Sequence, residues 1–66
     1  MEFGSIKIID SVKRFGFITS TTGEDVFFLF TDVSKANWPD LTVGQMVKFN
    51  VYSGAKRIQA INIELV

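Results

Sequence analysis

The sequence predicts an all-β domain in which five short antiparallel strands close into a small barrel. Three observations carry that prediction. Apolar and polar residues alternate in short runs, most cleanly from Gln45 to Ser53, where Val47, Phe49 and Val51 share one face and Met46, Lys48, Asn50 and Tyr52 the other. Turn-forming residues separate the runs at Asp10-Ser11, Thr21-Thr22-Gly23 and Ser53-Gly54. No stretch carries the periodicity of a long amphipathic helix. Five strands this short protect their edges by curling closed.

The first strand is expected from Phe3 to Ile9, with Ile6 toward the core and Lys7 away from it. Ile8 and Ile9 together break the alternation, which predicts a bulge or bend. Asp10 to Lys13 forms the connection, Asp and Ser supplying turn hydrogen bonds. Arg14 to Ser20 is the second strand. Thr21 to Glu24 is a turn in which Gly23 takes a positive φ, and Asp25 to Phe30 is the third strand. Thr31 to Gly44 is a long loop with one helical turn at Thr31 to Ser34, and a loop of that length in a small domain is usually functional. Pro39 biases Trp38 toward an extended conformation that holds the indole away from the barrel. Gln45 to Ser53 and Arg57 to Leu65 form a closing hairpin, with Ile61, Ile63 and Leu65 the expected buried set of the last strand. A three-strand meander followed by a hairpin fits the OB type of barrel.

Composition excludes several function classes. Sixty-six residues make one domain of modest stability. With no cysteine there is no disulfide and no thiolate metal site. With no histidine the usual general base, zinc ligand and pH switch are missing. Asp10, Asp32 and Asp40 lack the spacing of a metal loop, and no glycine-rich phosphate loop occurs. A catalytic role, a cofactor, a small-molecule substrate and a membrane partner are therefore not expected. The lack of cysteine fits a reducing compartment, and with no secretory signal visible the expected location is cytoplasmic. Seven basic and seven acidic residues give zero net charge, so any electrostatic attraction to an anion depends on where the charges sit. Lys7, Lys13, Arg14, Lys56 and Arg57 fall at strand ends or turns, apart from most of the acids.

Five phenylalanines fall within the sixteen residues from Phe15 to Phe30. Strand alternation places Phe15 and Phe17 on one face and Gly16 and Ile18 on the other. It likewise separates Phe27 and Leu29 from Val26 and Phe28. Phe28 and Phe49 share faces with Val26 and Val47, so both are expected in the core. Phe15, Phe17 and Phe27 are expected on the outer face, because so small a chain cannot cover a second layer. Exposed rings edged by cations make a stacking platform for unpaired bases.

These segments resemble the cold-shock domain family from Gly4 to about Ile63. Gly4 and Lys7 match an early Gly and Lys. Lys13-Arg14-Phe15-Gly16-Phe17-Ile18 is similar to its first ribonucleoprotein motif, K-G-F-G-F-I, and Val26-Phe27-Phe28-Leu29-Phe30 to its second, V-F-V-H-F. Leu41 to Phe49 follows L-x-x-G-Q-x-V-x-F, and Gly54 to Asn62 follows G-x-x-x-x-Q-A-x-N. The resemblance implies a five-stranded OB barrel that binds single-stranded RNA or DNA in the manner of an RNA chaperone. The nucleic-acid-binding residues it implies are Phe15, Phe17, Phe27, Phe30 and Trp38 as stacking rings, and Lys7, Lys13, Arg14, Lys56 and Arg57 along the backbone. Ile8 and Leu29 line the same face.

The departures fall on the ligand face. Ile8-Ile9-Asp10 stands where the family has Trp-Phe-Asn, and Leu29 replaces a His. Arg14 replaces a Gly and is expected in an ordinary backbone conformation. Arg57 and Ile58 replace a Gly and a Pro. Two other readings stay open on these residues: an OB-fold protein-interaction module, or a designed or recombined cold-shock-like scaffold, each with weakened nucleic-acid binding.

Overall fold

The computed structural model describes residues 1–54 and 57–66. Its five strands are β1 (Glu2–Asp10), β2 (Phe15–Ser20), β3 (Asp25–Leu29), β4 (Met46–Ser53) and β5 (Ile58–Leu65). They close into a barrel in the order β1-β2-β3-β5-β4, with β4 returning to β1. The meander and the hairpin pair antiparallel, while the junction of β3 with β5 is parallel, with Phe27 opposite Gln59. Inside lie Ile6, Ile18, Val26, Phe28, Val47 and Phe49, all at most 4% exposed. Gly16 belongs to β2 for a steric reason: a Cβ there would sit 2.7 Å from the Phe28 ring.

The bulge expected at Ile8-Ile9 is present as a register shift between Ile6 and Ile8. It leaves Ile8 outside and lets Ile9 pack against the core. The turn after β1 is closed by Asp10, whose Oδ1 accepts from the amides of Val12 and Lys13. Gly23 has the positive φ its turn requires, 93°.

The last strand departs from the expected pattern. Ala60 and Ile63 are the buried pair, while Ile61 and Leu65 are only partly covered. Asn62 takes a φ of 51°, and the pairing with β4 slips between Lys48 and Asn50. That bulge inserts one residue, and one residue exchanges the two faces of a strand. Val51, expected inward, is 38% exposed, because its end of β4 lines a shallow depression with Glu2, Ser20, Glu24, Val26 and Ile58.

The long loop is more ordered than its composition suggests. A 3₁₀ turn spans Phe30–Asp32, and a second 3₁₀ helix spans Lys35–Asp40 with Pro39 inside it. The fixed φ of proline suits 3₁₀ geometry. Trp38 is therefore helical, which corrects the expectation of an extended residue. Its indole N–H points inward and donates to the carbonyls of Phe30 at 2.9 Å and Val33 at 3.1 Å.

Candidate nucleic-acid interface

The outer face of β1, β2 and β3 carries three half-buried rings. Phe17 pairs across strands with Phe27, Phe15 with Leu29, and Ile8 with Phe17. Cross-strand partners share a face, so these five side chains form one apolar surface. Ring centroids lie 5.8 Å apart for Phe15 and Phe27, 5.7 Å for Phe17 and Phe27, and 6.4 Å for Phe15 and Phe17. Ile8 is 47% exposed and Leu29 38%. The surface exists because Gly16, Ile18, Val26 and Phe28 take the inner positions of the same strands.

Phe30 lies apart from it. The side chain is 7% exposed and stacks on Phe28 at 6.4 Å, so it belongs to the core and not to the outer rings. The chain leaves β3 at Leu29 and turns into 3₁₀ geometry at Phe30, which breaks the strand alternation that would have carried the ring elsewhere. Trp38 packs at 5.7 Å on Phe30 and is itself half buried.

The cations divide into three settings. Lys7 lies beside the rings, and its ammonium is 2.8 Å from the Asp25 carboxylate. The Lys7 hydrogen bond holds the Asp25 carboxyl below its ordinary range. A depressed carboxyl stabilises the fold above the ordinary aspartate pKa, and this contribution fades as the pH falls through the lower folded value. Both groups are about half exposed, so solvent screening keeps that contribution small. Arg57 lies over Phe27 with its guanidinium carbon 4.5 Å from the ring centroid. Lys13 is exposed in the turn after β1. Arg14 ends that turn at a φ of 60°, which corrects the expectation of an ordinary conformation: the position kept the left-handed backbone that suits a glycine. Its guanidinium lies 5.2 Å from the Trp38 centroid. Lys56 falls outside the described residues.

Three participants were not singled out in the sequence. Asp25 neutralises Lys7. Gln59 stands in register with Phe27, its amide donating to Asp32 Oδ2 at 2.8 Å. Lys35 lies 5.8 Å from the Trp38 centroid. Asp25 reaches Lys7 through the meander, but only the closure of β5 on β3 brings Gln59 to the site and only the helical loop brings Lys35, and neither has a local sequence signal. Among the described residues, no three of His, Cys, Asp and Glu gather as metal ligands, and no helix is long and apolar enough to cross a membrane.

A closed five-stranded barrel with an aromatic outer face on its meander is an OB-type domain. The family described as "'Cold-shock' DNA-binding domain" matches residues 2–66. Cold shock protein CspC of Bacillus subtilis (strain 168) is 39% identical over 64 residues, 97% of each chain. The major cold shock protein CspA of Pseudomonas aeruginosa is 36% identical over 63 residues, 96% of this chain and 91% of that one. A solved structure described as drosophila Unr CSD456 superposes with a TM-score of 0.78 at 28% identity, covering 98% of this chain. The present chain spans 26% of that one. The chain belongs to the cold-shock domain family, whose members generally bind nucleic acid.

Proposed function

We propose that this chain binds single-stranded RNA or DNA by stacking bases on Phe15, Phe17 and Phe27, and that it keeps RNA unpaired as a chaperone. The observation that carries this reading is the cluster of three half-buried rings on one outer face, flanked by the exposed Ile8 and Leu29. Such rings offer a π-face to any base, and each stacked base contributes about 1–3 kcal/mol. A few rings then give useful affinity with little sequence choice. Duplex offers no free base face, which makes the site selective for single strands. Lys13, Arg14 and Arg57, none of them ion-paired among the described residues, supply positive charge around it, so the neutral total does not prevent local attraction to phosphate.

The test is a titration with a short pyrimidine-rich single strand at low and high salt, beside a duplex of the same sequence. Saturable binding of the single strand that exceeds duplex binding is expected. Absence of binding at low salt would overturn the reading and favour a protein partner for the outer rings.

A further inference from the structure

Trp38 carries two positive charges. The Arg14 guanidinium carbon lies 5.2 Å from its ring centroid and the Lys35 ammonium 5.8 Å. The separation of the two charges cannot exceed the sum of those distances. Neither cation is ion-paired with a carboxylate among the described residues. Among the described residues the ion pairs are Lys7 with Asp25 and Lys48 with Glu64. Asp32, three residues before Lys35, is occupied: its Oδ2 accepts from the Leu29 amide and from Gln59. Two like charges resting on one ring, with no ion-paired acid among the described residues, raise the local potential and attract an anion.

The support beneath them is fixed. The indole N–H is shared between two backbone carbonyls, and the ring packs on the buried Phe30. The backbone of Arg14 is held from both sides, its amide donating to Asp10 O at 2.8 Å and its carbonyl accepting from Phe30 N at 2.9 Å. Arg14 directly precedes Phe15, so the two charges stand at the Phe15 end of the ring cluster. Of the other cations near the rings, Lys7 is already neutralised by Asp25 and Arg57 lies over Phe27.

We propose that Arg14 and Lys35, carried on Trp38, form a clamp for the phosphodiester backbone of a single strand as it leaves the rings. The proposal rests on the stacking reading above. It assigns Trp38 the role of holding two cations in place and makes Lys35 a binding residue. The ligand chemistry is a phosphodiester of either sugar. The guanidinium offers a planar fork to phosphate oxygens and the ammonium a point charge.

Two probes separate the clamp from the rings: a short pyrimidine strand, and an abasic phosphodiester strand of equal length. The variants are Arg14→Gln, Lys35→Gln and Lys35→Arg, each checked for an unchanged fold by circular dichroism. Arg14→Gln and Lys35→Gln are expected to weaken both probes several-fold at low salt. Each should also flatten the slope of log K against log salt by about 0.7. Lys35→Arg should retain the parent slope. Phe27→Ala should weaken the pyrimidine strand alone. Unchanged slopes in both Gln variants, with parent binding intact, would overturn the clamp and leave the stacking reading standing. The same holds if Lys35→Arg loses as much as Lys35→Gln. Equal binding of both probes by the parent chain would instead overturn stacking, and with it the clamp as the exit from the rings, while flattened slopes in the Gln variants would still mark Arg14 and Lys35 as phosphate contacts. A parent chain that binds neither probe overturns both.

Discussion

The Arg57 guanidinium rests 4.5 Å from the centre of the Phe27 ring. A base that stacks on that face of Phe27 must displace the guanidinium, which is then free to reach a phosphate. Removal of Arg57 therefore has two opposed effects: it uncovers the ring and deletes a charge. If about 2–4 phosphates are neutralised, the parent slope of log K against log salt is roughly −1.5 to −3 on a single strand. Arg57→Ala should flatten that slope by about 0.7. A gain in affinity with the slope unchanged would mean that Arg57 only covers the ring. Titrations at several salt concentrations decide between them.

Ring substitutions should separate binding from folding. Phe15 and Phe27 are half buried, whereas Phe49 is fully buried. Phe15→Ala and Phe27→Ala should each weaken single-strand binding by about 1–3 kcal/mol and change stability far less. Phe49→Ala should lower stability by about 3–5 kcal/mol, as loss of a buried ring does. Urea melts and oligonucleotide titrations on the same three variants provide the comparison. A Phe15→Ala variant as unstable as Phe49→Ala would show that the outer rings are structural.

What could be read from the sequence was whatever strand alternation controls locally. The inner and outer rings of β2 and β3 follow from alternation alone, and so does the burial of Phe28 and Phe49. The errors sit where the backbone leaves that period. Asn62 inserts a residue and moves burial from Ile61 to Ala60. Phe30 enters a 3₁₀ turn and goes into the core. Trp38 folds into a second 3₁₀ helix because Pro39 fits that geometry as well as an extended one. Lys35 and Gln59 reach the site through tertiary contacts that no local pattern announces.

Arg14 offers a test of the backbone at the end of the first turn. A non-glycine residue in the left-handed region costs about 1–2 kcal/mol. The contact with Trp38 returns about 0.5–1 kcal/mol. Arg14→Ala keeps the strain and loses the contact, so it should be less stable than the parent by about that smaller amount. Arg14→Gly loses the contact and relieves the strain, and should exceed Arg14→Ala by about 1 kcal/mol. Thermal or urea melts of the two variants give the order directly. An alanine variant at least as stable as the glycine variant would contradict the positive φ.

Restoring the family's side chains on the outer face should strengthen binding. Ile8 stands opposite Phe17 and Leu29 opposite Phe15, both exposed and neither able to stack. Ile8→Trp and Leu29→His should therefore raise affinity for single strands, with the larger ring giving the larger gain. Asp10, opposite Phe15, places a carboxylate on the same face. Asp10→Asn removes the charge while leaving an oxygen for the amides of Val12 and Lys13, so affinity should rise without loss of the turn. Side-by-side titrations of the three variants are the measurement. Unchanged affinity in all three would place β1 outside the site.

Trp38, the only tryptophan of the chain, reports on the loop from within. Its N–H satisfies two backbone carbonyls at the point where the chain leaves β3, and its ring covers the buried Phe30. Trp38→Phe keeps a ring but removes the donor. The Phe30 carbonyl keeps the Val33 amide as a donor, while the Val33 carbonyl loses its indole partner, and the lost hydrogen bond costs about 0.5–1.5 kcal/mol. The parent emission should be blue-shifted relative to a solvent-exposed tryptophan, because the ring is half covered. If the indole instead lay out in solvent, Trp38→Phe would leave stability unchanged and the emission would match that of an exposed tryptophan. The oligonucleotide response adds a second measure. A base that stacks on the indole must displace the cation on that face and quenches the emission deeply, whereas phosphate binding at the Arg14 and Lys35 side chains changes the emission only slightly. A small, saturable and salt-sensitive change is therefore expected, and deep quenching would return Trp38 to the stacking set.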